Sequence, residues 1–219
     1  MSAGATEALR RARLARLRGL YAITPEVAGT AQLCAAVAAA IRGGARAIQY
    51  RAKSLPPALQ REQAAALAAT CRAGGALLIV NDDAALAVDV GADGVHVGRD
   101  DGDLAAARAR VGDGLVIGAS SYDDLARART LAAQGADYIA IGSLFASSVK
   151  PQAVRASLDL VREAARLGVP VVGIGGIDAT NAASVIDAGA AAVAVITAVF
   201  GVADVEAAAR RIVHAVEAA

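Results

Sequence analysis

The chain has 219 residues, 22 basic and 21 acidic side chains, a formal charge of +1, and 56 % hydrophobic against 20 % charged residues. That balance excludes a disordered chain and a general nucleic-acid binder, whose basic excess must offset phosphate charge. The longest uncharged stretches, 27–41 and 188–203, fall short of the ~18–20 apolar residues that cross a bilayer, and two cysteines in Ala-rich helical patterns suit neither a disulfide framework nor a thiolate metal site. A cytoplasmic protein with no membrane partner is expected.

Residues 1–18 carry Leu9, Leu14 and Leu17 among five arginines, with no apolar core of the length a secretory signal needs. They read as a solvated, basic amphipathic helix leading into a domain that begins at residue 19. From there short apolar runs at 20–24, 77–80, 115–119 and 169–173 alternate with a repeat. A Gly-Ala pair followed by an alternating apolar run starts at Gly44, Gly91, Gly135 and Gly189. Helical patterns separate all eight runs, at about 30–42, 57–73, 83–89, 103–110, 122–134, 155–167, 178–188 and 203–217 by periodicity. Near-continuous apolar strands alternating with amphipathic helices imply a parallel sheet buried on both faces. Eight such units in about 200 residues match a (β/α)8 TIM barrel of the α/β class. A doubly wound sheet would need a strand-order reversal and fewer strands. No composition break divides 19–219, so one barrel domain is expected, preceded by the helical extension.

In a barrel of this kind the strand carboxyl ends and the loops after them form the active face. Strand 2 ends in Gln49-Tyr50-Arg51-Ala52-Lys53 and strand 3 in Asn81-Asp82-Asp83. Strand 4 runs through His96 towards Asp101, and strand 5 into Ser120-Ser121-Tyr122. Strand 6 leads to Ser147-Ser148-Val149-Lys150-Pro151, strand 7 to Gly175-Gly176, and strand 8 to Ile196-Thr197. Of 22 basic residues only Lys53 and Lys150 are lysine, and both fall on this face, with one of the two histidines and one of the two asparagines. Arg51, Lys53 and Lys150 supply positive charge, and Asp82 and Asp101 offer hard oxygens of the kind Mg2+ takes beside phosphate. Gly175-Gly176 and the end of strand 8 offer backbone N–H groups to a phosphate. Each piece also has a plainer reading. Asp82 and Asp101 each precede a helix and could cap it, and His96 could be a hydrogen-bonded core residue. No nucleophile–base pair is evident, since Ser120 has no visible histidine partner. The joint occurrence on one face carries the functional reading: two anion sites and a hard metal, a metal-bridged diphosphate on one side and a monophosphate on the other.

These segments, taken together with Gly173-Ile174-Gly175-Gly176-Ile177, resemble thiamine phosphate synthases, in the same order and over about residues 19–217. The resemblance implies a transferase. It would couple 4-amino-5-hydroxymethyl-2-methylpyrimidine diphosphate with hydroxyethylthiazole phosphate, giving thiamine monophosphate and diphosphate. It also implies that Gln49, Tyr50, Arg51, Ala52, Lys53, Asn81, Ser120 and Lys150 bind the pyrimidine diphosphate. Asp82 and Asp101 would bind Mg2+, and Ser147, Ser148, Val149, Gly176, Ile196 and Thr197 the thiazole phosphate. Arg51, Lys53 and Lys150 would be catalytic. Two departures stand out: Val149 and Ser147 where the family usually has Thr, and Tyr122 where many relatives have His. A thiazole tautomerase of the same superfamily, which uses that His, and a non-catalytic phosphoester-binding barrel are the alternatives. The partners are small molecules, and a homo-oligomer is compatible with this reading.

Overall fold

The structure, a computed structural model, describes residues 3–98, 103–146 and 154–219. After α1 (Ala3–Arg16), eight strands form a closed, wholly parallel barrel in sequence order, which is the expected TIM barrel. They are β1 (Gly19–Ile23), β2 (Ala47–Tyr50), β3 (Leu77–Asn81), β4 (Gly94–Val97), β5 (Val116–Tyr122), β6 (Tyr138–Ile141), β7 (Val171–Ile174) and β8 (Ala192–Val195). Closure is made by β1 beside β8, with Gly19 opposite Ala192. The strands alternate with α2 (Thr30–Arg42), α3 (Pro57–Gly74), α4 (Ala84–Asp89), α5 (Leu104–Val111), α6 (Leu125–Ala133), α7 (Leu158–Ala165), α8 (Ala182–Asp187), the single turn α9 (Thr197–Phe200) and α10 (Val205–Glu217). No helix among the described residues is long and apolar enough to cross a membrane.

The period of two along each strand divides two cores. Leu20, Ala22, Ile48, Leu78, Ile117, Ile139 and Val193 face the helices, while Tyr21, Ile23, Ala47, Leu77, Ile79, Val116, Tyr138, Val172 and Ala192 fill the barrel. The repeated Gly-Ala pair has a structural cause. Gly44, Gly91, Gly135 and Gly189 all have positive φ, and the N–H of the alanine after each reaches a carbonyl five residues back. This is the left-handed helix stop that favours glycine, and it turns the chain into the next strand.

Two features depart from the sequence reading. Strand β5 runs on to Tyr122, because a register shift between Ser120 and Tyr122 inserts Ser121 as an extra residue. And α1 is not simply solvated. Leu14 and Leu17 pack into the inner barrel cluster, at the end where strands begin. Arg13 Nε donates to Asp93 Oδ1 at 2.9 Å and its Nη1 to the Gly114 carbonyl at 2.7 Å. Arg16 reaches the Gly75 carbonyl at 2.6 Å, and Arg10 pairs with Asp137 at 3.6 Å. The helix therefore floors the barrel across the loops that lead into β3, β4, β5 and β6. Leu17→Ala should cost about 2–5 kcal/mol as a cavity at a buried site, at about 2–4 °C of Tm per kcal/mol for a chain of this length. Arg11→Ala breaks only the exposed pair to Glu7 and should leave the melting curve almost unmoved; thermal denaturation of both checks this.

Candidate active site

The carboxyl ends of β2 and β3 meet at one charged contact. Lys53 Nζ lies 2.8 Å from Asp82 Oδ2, with the lysine half exposed and the aspartate 21 % exposed. The same oxygen accepts from Asn81 Nδ2 at 2.5 Å. Asp82 holds φ = 64°, a left-handed conformation that a non-glycine residue adopts at a cost of order 1 kcal/mol or more. Its neighbour settles the capping question: Asp83 Oδ1 accepts from Leu86 N at 2.8 Å and caps α4, so Asp82 is spared for the mouth. Likewise Asp103 caps α5. Asp82 fits a hard divalent cation, which takes one or two carboxylates and completes its shell from phosphate and water. Among the described residues no three His, Cys, Asp or Glu side chains converge on a metal-sized point.

The loop that carries Arg51 and Lys53 is held by a residue that the sequence reading passed over. Glu26 accepts from Lys53 N at 2.8 Å, Ser54 N at 3.0 Å and the Ser54 hydroxyl, while Arg51 N donates to Thr24 Oγ1 at 3.1 Å. The Ser54 hydroxyl first, then the Lys53 amide, hold the Glu26 carboxyl below its ordinary range. Tyr50 does not face the mouth with its side chain. Its hydroxyl donates to Gln63 of α3 at 3.0 Å, in the layer between strand and helix, so only its backbone is available to a ligand. Ala52 packs against that same outer core.

Beneath the mouth runs a buried polar chain. Gln49 Nε2 donates to the Tyr21 hydroxyl at 2.8 Å; the Tyr21 and Tyr138 hydroxyls are 3.0 Å apart; Tyr138 lies 3.0 Å from His96 Nδ1, and His96 Nε2 lies 2.9 Å from Ser120 Oγ. Burial raises the pKa of both phenols, so both act as neutral O–H groups. Tyr21 and Tyr138 are essentially inaccessible, and a buried donor without an acceptor costs about 1–3 kcal/mol. Starting from the Gln49 amide, each proton then has one destination: Tyr21 donates to Tyr138, Tyr138 to His96 Nδ1, and His96 Nε2–H to Ser120. Ser120 thus does have a histidine partner, contrary to the sequence reading. In that arrangement the partner is not a base towards it, because its facing nitrogen carries the proton. The Tyr138 ring stacks at 29° on His96 and meets Tyr21 edge-on. It occupies space that only a glycine leaves: a Cβ on Gly118 would lie 1.9 Å from Tyr138 Cζ.

On the far side Gly175 and Gly176 turn with φ of 103° and 63°. Their tightness is imposed by the segment after β6: Phe145 N donates to the Gly175 carbonyl at 2.9 Å, and a Cβ on Gly176 would meet the Ala146 oxygen at 2.2 Å. Ile196 closes the inner cluster at β8 and Thr197 opens α9 beside it. The structure thus brings Gln49, Lys53, Asn81, Asp82 and Ser120 to one end of the barrel, with Gly176, Ile196 and Thr197 at the same end on β7 and β8. Asp101, Ser147, Ser148, Val149 and Lys150 lie outside the described residues.

A family model described as thiamine monophosphate synthase matches residues 20–199. The thiamine-phosphate synthase of Chromobacterium violaceum is 54 % identical over 195 residues, 89 % of this chain and 94 % of that protein. That of Methylobacillus flagellatus is 51 % identical, over 89 % and 93 %. A solved thiamine phosphate pyrophosphorylase from Pyrococcus furiosus superposes with a TM-score of 0.83 at 35 % identity, covering 94 % of this chain and 98 % of that one. The orotidine 5'-phosphate decarboxylase of Pyrococcus horikoshii, at 13 % identity and a TM-score of 0.67 over 90 % and 99 %, shares the fold alone.

Because folding lowers the Glu26 pKa, its hold on the 51–56 loop is full above the ordinary carboxylate range. It is lost as pH falls through the lowered value. Amide exchange at Lys53 and Ser54 should show protection at neutral pH that fades in acid. Glu26→Gln should cut the neutral-pH protection by about tenfold, since a charged acceptor bonds roughly twice as strongly as a neutral one. Equal protection in the variant would show that Glu26 does not hold the loop.

Proposed function

We infer the chemistry of the mouth from one premise, that the chain belongs to the thiamine monophosphate synthase family. Its activity is thiamine-phosphate synthesis, a transferase reaction. The finer reading is that the aminopyrimidine diphosphate lies over Gln49 and Ser120, with its diphosphate towards Arg51, Lys53, Asn81 and Lys150. The thiazole phosphate lies towards Ser147, Ser148, Val149, Gly176, Ile196 and Thr197. The observation that carries it is the Lys53–Asp82 pair at 2.8 Å beside Asn81, an anion-and-cation site above a chain whose only Ser–His contact cannot deprotonate the serine.

With no activated nucleophile among the described residues of the mouth, the rate in this reading comes from positioning and charge. The methylene C–O bond breaks and its electron pair leaves with the diphosphate. Arg51, Lys53 and Lys150 meet the growing negative charge, and the aminopyrimidine ring spreads the positive charge left behind. The thiazole nitrogen, aimed by its phosphate, then gives its lone pair to that carbon. Mg2+, which Asp82 and Asp101 would hold, supplies further charge neutralisation at the diphosphate when bound. Tyr122, at φ = 60° on the bulged end of β5, stands where a tautomerase would place its acid–base histidine, and a phenol does not replace imidazole near neutral pH.

Asp82→Asn and Asp101→Asn should each lower kcat/KM by about 100-fold or more, about 2.7 kcal/mol, in an assay of diphosphate release from the two substrates with Mg2+. Melting should hardly change for Asp82→Asn, because an ion pair whose lysine is half exposed adds little stability. Near-normal turnover in either variant rejects the metal assignment. Lys150→Ala should reduce kcat more than it raises KM, since leaving-group charge peaks after ionisation. Lys150→Arg should rescue poorly, because a planar fork does not fit a compact ammonium site.

A further inference from the structure

We propose that Tyr21 and Tyr138 are specificity-determining positioning residues: their hydroxyls lock the Gln49 carboxamide so that its oxygen, an acceptor, faces the ring substrate and selects an exocyclic amine over a carbonyl. This rests on the reading above that Gln49 faces the aminopyrimidine.

Gln49 is 4 % exposed, and among the described residues its only side-chain hydrogen bond runs from Nε2 to Tyr21. Among the described residues no buried side-chain nitrogen or oxygen lacks a partner, so Gln49 Oε1, which no described group binds, is not sealed in the core and is open on the mouth side of β2. A free glutamine could turn its amide over and offer an N–H to a carbonyl just as readily. This one cannot turn alone. If Oε1 faced Tyr21, the Tyr21 proton would have to point at Gln49. Tyr138 would then donate to Tyr21, His96 would need its proton on Nδ1, and Ser120 would have to donate to Nε2.

With a neutral imidazole five groups must therefore reverse together, over contacts of 2.8, 3.0, 3.0 and 2.9 Å; otherwise Gln49, Tyr21 and Tyr138 reverse only as His96 takes up a second proton. A partial reversal leaves two lone pairs or two protons facing each other inside the barrel, where water does not replace the lost bond. Reversal also changes the other end. In the observed sense Ser120 keeps its proton for the ligand; in the reversed sense with a neutral imidazole it spends that proton on His96. With a neutral imidazole, the amide sense that accepts from an amine and the serine sense that keeps a donor for the ligand are thus one state. Sites built on a buried hydrogen bond discriminate far better than apolar pockets do.

The test compares the aminopyrimidine diphosphate with its analogue carrying a carbonyl in place of the amine. KM is measured for the first and Ki, as a competitive inhibitor, for the second, in wild type, Tyr138→Phe and Tyr21→Phe. Tyr138→Phe keeps the ring and does not touch Gln49. It cuts the chain, so Tyr21 can donate or accept and the amide can turn. The preference for the amine, Ki over KM, should fall at least tenfold in Tyr138→Phe and in Tyr21→Phe. A hydroxyl that only stabilises the barrel would weaken both ligands alike and leave the ratio unchanged. Should Tyr138→Phe fail to fold, Tyr21→Phe gives the same ratio. An unchanged ratio in an active variant overturns the proposal alone. A wild-type enzyme that releases no diphosphate from the two substrates overturns the reading of the site, and the proposal with it.

Discussion

Two phenolic hydroxyls lie in the middle of the barrel, out of reach of solvent, and each must be given a partner. That requirement decides much of what surrounds them. Tyr21 and Tyr138 sit on nearly opposite strands, β1 and β6, and satisfy each other first. Each then has one capacity left. Gln49 fills one and His96 the other, which obliges His96 to find Ser120 for its second nitrogen. The inner wall has to shrink elsewhere to admit two rings, and Ala47, Gly94, Gly118, Ala140, Ala192 and Ala194 line it. An all-aliphatic interior would be easier to pack. This one is bound by the need to leave no proton without an acceptor.

Above that core the mouth is made of loops held more tightly than their exposure suggests. Glu26 fastens the strand-2 loop by its backbone, and the glycine pair after β7 lets the strand-6 loop approach within contact distance. Asp82 and Tyr122 keep left-handed backbones at the ends of β3 and β5. Strain of this kind persists where neighbouring structure enforces it, and here it turns consecutive side chains in different directions, so that Asp83 caps a helix while Asp82 meets Lys53.

Legibility in the sequence follows the range of the interaction. The eight strands were readable because apolar runs, helical periods and Gly-Ala stops are local. The charged mouth was readable because a barrel sends every strand's carboxyl end to one face, so Lys53 and Asp82 needed only the fold to be brought together. The Ser120–His96 contact was missed, as were the roles of Tyr21 and Tyr138. Those partners are separated by 24 and 117 residues, and a tyrosine in an apolar strand looks like any other core residue. Tyr50 misled for the opposite reason: it adjoins the mouth in sequence, but alternation along β2 sends its ring outward. Glu26 left no signal, since its partners are backbone amides that every sequence has.

The floor of the barrel has a consequence for the order of synthesis. Helix α1 is made before the barrel, yet everything it docks on comes much later: the Gly75 carbonyl, Asp93, the Gly114 carbonyl and Asp137. Its own composition gives it little reason to persist alone, because fourteen residues with no acidic group in the first turn form a marginal helix in water. The leading segment therefore has to wait, exposed, until some 120 further residues have been added. Since β1 cannot meet β8 until residue 192, the barrel closes only after the helix has all its partners. A nascent barrel of this kind has an open floor until Asp137 has been made and an open seam until β8 follows, so the floor can be laid before the wall is closed.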